Sequence, residues 1–374
     1  MRGGVVRGHR VVLIAALAGC TFPSLRFGDD AGDAAEVAAD ASRDVASPDV
    51  PDAGDAVDAV DAVEVVDAVE VVDAAEAAVS GFVASPSCPT EATPGCRRVR
   101  VPGGTFTLGE EAAGSAPVQP GITVDDFVLD ATEVTVARFR RFVDAYNAGT
   151  LGDRFTARYP TSPVTELTVE RAALRSPLAD SGLQCNWTPM VRSPARESHP
   201  INCVAWEVAL AFCAWDGGRL PTEAEFERAA RHALGPAGSA WPWGAEAPTC
   251  ARAHWQAMPT VLRCAGDDTQ ATRRVGSLPL GARGAVFDLA GNVAEWAADE
   301  YLPFAAASAP NRCWGLGPQR NPLCRGTGAA ERTARGGSWY DDDPSGVTLR
   351  GAARASGNVH AASAQRGLRC ARAP

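Results

Sequence analysis

A mixed domain of strands and helices, poor in regular secondary structure and braced by disulfides, is what the sequence predicts for most of this 374-residue chain. Three observations carry that expectation. Strand-like runs come first and short helical patterns follow. Beyond Trp243 the chain is rich in Gly, Pro and Trp, with few periodic runs, so turns, disulfides or bound ions must satisfy most of its backbone. Apart from Cys20, the cysteines form an even set of ten, the expected signature of up to five disulfides in an exported chain. No Cys-x-x-Cys pair is present, which argues against zinc.

Met1 to Arg10 carries three Arg and no acid, and Val11 to Ala18 is an apolar run too short to span a bilayer. Residues 1–20 therefore read as a secretory signal. Its end, Leu17-Ala18-Gly19-Cys20, resembles the bacterial lipobox, which implies a lipidated Cys20 and a membrane partner through that lipid. Thr21, in place of an Asp, points to the outer membrane of a bacterial cell envelope. Residues 21–80 read as a tether. From Asp52 to Glu76 an acid recurs at every third position with Ala and Val between, a solvated, self-repelling pattern with nothing to build a core.

The net charge of −10 is concentrated there, since residues 29–80 hold 16 acids against one Arg. What remains is nearly neutral. It has no basic stripe for nucleic acid. All 35 basic residues are Arg, so chemistry that needs a lysine is excluded, including the Walker A phosphate loop, protein-kinase catalysis and pyridoxal-phosphate Schiff bases.

After a lead-in at residues 81–96, the texture becomes globular over residues 97–374. Val101–Leu108 reads as a strand with a glycine turn, and Val124–Leu129 as a second strand. Thr135 caps a helix whose Phe139, Phe142, Val143 and Tyr146 recur at helical spacing, with Gly149 ending it. A second helix runs from about Ala205 to Trp215, stopped by Gly217-Gly218. Thr222-Glu223-Ala224-Glu225 is a capping box that opens a third.

Several of these segments, in this order, resemble the formylglycine-generating enzyme (sulfatase-modifying factor) family. They are Val101-Pro102-Gly103-Gly104-Thr105-Phe106, Asp130-Ala131-Thr132-Glu133-Val134-Thr135, His199–Trp206, Gly218–Glu227, Trp241-Pro242-Trp243-Gly244, Asp288–Trp296, Arg335–Trp339 and Gly367-Leu368-Arg369-Cys370. The resemblance implies an α+β fold related to C-type lectins. It also implies a chemistry, the oxidation of a Cys in the Cys-x-Pro-x-Arg motif of sulfatases by oxygen at a copper(I) ion held by two cysteines. Soft thiolates suit that soft ion.

Counted from Ser338, the two copper-binding positions fall on Asp341 and Gly346, and no cysteine lies between Cys324 and Cys370. Copper is therefore not expected. The resemblance also implies a Cys213–Cys370 disulfide. The remaining eight cysteines admit many pairings, of which the sequence-local set is Cys88–Cys96, Cys185–Cys203, Cys250–Cys264 and Cys313–Cys324. Asp288, Gly291, Val293 and Glu295 match one of the family's calcium sites, two carboxylates and two carbonyls of the hard-oxygen type calcium takes. Ser338 and Arg354 match its substrate groove, with Arg354 suited to clamping a carboxylate or a peptide carbonyl.

The run Asp341-Asp342-Asp343 is either a site for a hard cation or a solvated loop. The first functional expectation is a lipid-anchored, non-catalytic module that binds an unidentified protein, peptide or small ligand. The alternatives are an oxidoreductase with another metal centre near Asp341 and residual formylglycine generation.

Overall fold

A computed structural model describes residues 82–374, except for loop segments 115–117, 161–164, 175–178, 180–183, 190–193, 259–261, 265–270, 305–312, 315–316 and 327. The signal segment, Cys20 and the acidic tract lie outside the described residues. In chain order the strands are β1 (Arg98–Val101), β2 (Gly104–Leu108), β3 (Gln119–Val124), β4 (Phe127–Asp130), β5 (Arg154–Arg158), β6 (Glu166–Glu170), β7 (Gln256–Met258), β8 (Leu262–Arg263), β9 (Ala294–Glu300), β10 (Gln319–Arg320), β11 (Glu331–Arg335), β12 (Arg354–Asn358), β13 (Arg366–Gly367) and β14 (Ala371–Arg372). The α-helices are α1 (Val136–Asn147), α2 (Trp206–Trp215) and α3 (Glu223–Glu227), the last running on into a π turn at Arg228–His232.

The strands form small separate sheets, ordered β1-β4-β14, β10-β3-β2 and β12-β11-β9-β13, together with the hairpins β5-β6 and β7-β8. The run expected as one strand at Val124–Leu129 is divided between β3 and β4. Two consecutive acids, Asp125 and Asp126, break it, and Asp126 Oδ1 accepts the Gly103 N–H at 2.8 Å to fix the turn.

Helix α1 begins where Thr135 Oγ1 accepts the Arg138 N–H at 3.2 Å, and it buries Val136, Phe139 and Phe142. Phe139 and Phe142 meet Phe212 of α2 with ring centres 5.7 and 5.8 Å apart, so the two helices share an aromatic core. Helix α3 differs in kind. Its capping box is complete, and its three glutamates are all buried on arginines: Glu223 on Arg335 and Arg354, Glu225 on Arg219, and Glu227 on Arg231 and Arg335.

The lead-in docks on a comparable cluster. The Ser87 N–H donates to Asp216 at 2.8 Å, while buried Arg138 pairs with Asp130 and Asp216 at 2.9 and 3.0 Å. Five disulfides join Cys88–Cys96, Cys185–Cys203, Cys213–Cys370, Cys250–Cys264 and Cys313–Cys324. The Cys213–Cys370 bond ties α2 to the strand end before β14 across a separation of 157 residues.

Candidate functional site

The register of the four-stranded sheet brings together residues far apart in sequence. Arg335 of β11 stands opposite both Arg354 of β12 and Glu295 of β9, and Arg366 of β13 stands opposite Ala294. The chain leaves this row at Gly336 and Gly337, with φ of 95° and 69°, the left-handed region in which glycine is favoured. A Cβ on Gly337 would stand 2.8 Å from the Thr348 carbonyl oxygen and 2.9 Å from Asp341 Oδ2, so the turn has no room for a side chain.

Beside it opens a cavity of about 150 Å³, walled by Gly336, Ser338, Asp341, Arg354, Gln365 and Arg366 among small alanines. Asp341 Oδ2 accepts the Ser338 N–H at 2.6 Å and closes the loop. Burial pushes the Asp341 carboxyl above its ordinary range and the neighbouring Asp342 and Asp343 add to this, against the Ser338 hydrogen bonds.

The three aspartates do not converge. Asp343 turns away to accept from Ser345 N and Val347 N at 2.9 and 2.7 Å, and Asp342 is exposed. Burial disfavours the Asp343 charge, but these bonds outweigh it and hold the carboxyl low. Among the described residues no three His, Cys, Asp or Glu side chains are grouped to hold a metal.

Gly346 is closed off by its neighbours. It lies at φ 65°, its carbonyl accepts Trp241 Nε1–H at 3.0 Å, and an added Cβ would fall 2.5 Å from Pro248 Cγ. Ser338 is buried in the loop turn, its Oγ accepting the Tyr340 N–H at 3.3 Å.

Arg354 lines the cavity, but its donors are engaged. Nε and Nη2 bind the two oxygens of Glu223, the second at 2.9 Å, and Nη1 donates to the Leu302 carbonyl at 2.9 Å. Burial opposes ionisation of Glu223, yet Arg354 and Arg335 outweigh it and keep its carboxyl below the usual range. The guanidinium matched to substrate clamping is therefore held as half of a buried ion pair.

The residues matched to calcium lie on the other side of the same turn, where the Gly291 N–H donates to the Gly336 carbonyl at 2.8 Å. Gly291, at φ 79°, packs so closely on His254 that a Cβ would be 2.6 Å from its carbonyl oxygen. Asp288 Oδ2 accepts the Gly276 N–H at 2.6 Å. Glu295 is gripped by Arg369 through two bonds of 2.6 Å. Val293 is buried between them in sequence, just before β9.

The structure adds Glu133, which matching by motif had not assigned to this site. It stands against Asp288, where a carboxyl–carboxyl hydrogen bond raises Glu133 and lowers Asp288, and no other donor reaches its oxygens among the described residues. Burial raises the carboxyls of Glu133, Asp288 and Glu295, and the charges of Asp288 and Glu295 raise Glu133 further. Three buried carboxylates thus face one guanidinium. Were all three ionised, the cluster would be two charges short of neutrality; burial instead favours their protonated forms. The signal in the sequence was an acid at Glu133, between β4 and the apolar start of α1.

Residues 85–374 match the sulfatase-modifying factor enzyme 1-like domain. A formylglycine-generating enzyme of Streptomyces coelicolor is 34% identical over 315 residues, covering 77% of this chain and 94% of that protein. The inactive C-alpha-formylglycine-generating enzyme 2 of Bos taurus is 28% identical over 297 residues, covering 73% and 87%. Among solved structures, PvdO from Pseudomonas aeruginosa shares the fold with a TM-score of 0.50 at 22% identity, over 79% of this chain and 99% of its own. The chain belongs to the sulfatase-modifying factor family, that of the formylglycine-generating enzymes.

Proposed function

We propose that this is a non-catalytic ligand-binding module built on the formylglycine-generating enzyme fold, stabilised by one calcium ion and held at the bacterial envelope by lipid on Cys20. One observation carries the reading. Every cysteine among the described residues is in a disulfide, and the two copper-binding positions hold Asp341 and Gly346. No thiol there can act as a soft ligand or be oxidised stepwise. An oxidoreductase with a carboxylate-held centre would need Asp341, Asp342 and Asp343 to converge, whereas Asp341 and Asp343 each close a separate turn. The similarity to a relative named as inactive supports the same reading.

For calcium, Asp288 and Glu295 with the Gly291 and Val293 carbonyls are the matched ligands, and Glu133 beside Asp288 would add negative charge to the site. Bound there, the ion would supply charge balance. The test incubates the secreted chain, copper-loaded and under air with a thiol reductant, with a Cys-x-Pro-x-Arg peptide, and reads the product by mass spectrometry. Unchanged peptide is the expected result. Formylglycine in the peptide would overturn the reading.

A further inference from the structure

The cavity wall carries two charges that form no ion pair among the described residues, although Glu331 acts on Arg366 from further off. Arg366 donates from Nη2 to the Ser356 carbonyl at 2.7 Å and packs over the Trp296 ring at 5.1 Å, but among the described residues no carboxylate lies within ion-pair distance of it. This sets it apart from Arg354 on the same wall, which is neutralised by Glu223. Asp341 is the converse case. It accepts a backbone N–H, forms no ion pair with a cation among the described residues, and feels the like charges of Asp342 and Asp343. The two groups line one cavity without touching each other.

Resting on the reading of the domain as a binding module, we propose that this cavity binds a small zwitterion of the α-amino-acid type, its carboxylate on Arg366 and its ammonium on Asp341. Three physical points favour that class. A lone anion would satisfy Arg366 but leave Asp341 half-buried and uncompensated, and a lone cation would do the reverse. A molecule carrying both charges neutralises both walls at once and makes two charge-assisted contacts. The volume, about 150 Å³, is that of a cavity that holds a benzene-sized guest. The rest of the wall, Ala294, Ala334 and Ala355 among it, leaves room for a short apolar side chain, and its one other charge, Arg354, is already paired with Glu223. Burial of Asp341 works in the same direction, since an ammonium beside it would relieve the penalty on its ionised form.

The test measures binding of L-alanine to the full secreted chain by calorimetry, with acetate and methylammonium as the two half-ligands. L-Alanine should bind, and each half-ligand should bind at least about tenfold more weakly, as expected when one charge-assisted contact is lost. Arg366→Gln and Asp341→Asn should each weaken L-alanine about tenfold or more. The amide introduced by Asp341→Asn keeps an oxygen for the Ser338 N–H, so the loop can still close. Should Arg366→Gln fail to fold, Arg366→Lys replaces it, expected to keep part of the affinity because the charge remains.

Binding of acetate or methylammonium as tightly as L-alanine would overturn the proposal, as would L-alanine binding indifferent to both substitutions. If no amino acid binds while the Cys-x-Pro-x-Arg peptide stays unoxidised, the zwitterion inference falls and the non-catalytic reading stands. Formylglycine in that peptide would remove the non-catalytic reading itself.

Discussion

Gly346 sits in the left-handed region against Pro248, and this decides what a simple repair of the family's copper site would achieve. A residue with a Cβ costs about 1–2 kcal/mol in that conformation, and here the Cβ would also press on the proline ring. The contrast with Asp341 is instructive. There the backbone is already ordinary and the side chain has a defined task, closing the loop on the Ser338 N–H. Asp341→Cys with Gly346→Cys should therefore lower the melting temperature by several degrees and should not create a tight bis-thiolate site for copper(I). A competition titration with a copper(I) chelator checks this. A double variant that binds one copper(I) per chain and oxidises the peptide would show that the second position tolerates a thiol after all.

Strand β9 shows why part of the molecule was hidden from sequence reading. Its seven residues, Ala294–Glu300, are buried along their whole length although three are acids. Each acid is accommodated by a group distant in sequence: Glu295 by Arg369, Asp299 by the N–H groups of Glu223 and Cys324, and Glu300 by Arg325 and Arg332. No local pattern announces such partners, so the segment did not read as a core strand. The helices did, because Thr135 and the capping box at Thr222 act within one turn and the apolar spacing is local. The disulfides were legible for a similar reason, four of the five joining cysteines that are neighbours in sequence.

Burial and the charge of Glu223 push Asp299 up to about 7. The unfolded chain titrates this group near the ordinary aspartate value of about 4. The folded state therefore holds the proton more tightly, so this stabilisation is complete below about pH 4 and is lost as pH rises to about 7, by an amount on the order of 4 kcal/mol. Denaturant midpoints between pH 4 and 8 should fall more steeply for the native chain than for Asp299→Asn. Parallel curves for the two proteins would show that Asp299 titrates normally in the fold.

Among the described residues, cross-links and buried ion pairs replace long helices and large sheets. Arg138, Arg335 and Arg369 are among the largest fully buried side chains. Arg138 is matched by Asp130 and Asp216, and Arg335 by Glu223 and Glu227. Breaking a buried pair of this kind costs about 3–5 kcal/mol, because the partner is left as an uncompensated charge. At Glu133, Asp288 and Glu295, three carboxyls pushed up by burial share Arg369.

The calcium ion proposed above would complete the pattern, and an ion bound only by the folded state would stabilise it more as its concentration rises. At a hundredfold excess over its dissociation constant it contributes about 2.7 kcal/mol, several degrees of melting temperature for a domain of this size. A calcium chelator should lower the melting temperature of the native chain by that amount, and calcium should restore it better than magnesium, whose strict octahedral preference suits an irregular loop less well. Glu133→Gln removes one of the excess charges, so its melting temperature should respond less to chelator and to calcium. Melting that ignores both reagents would mean that the three carboxylates share protons instead of a metal ion.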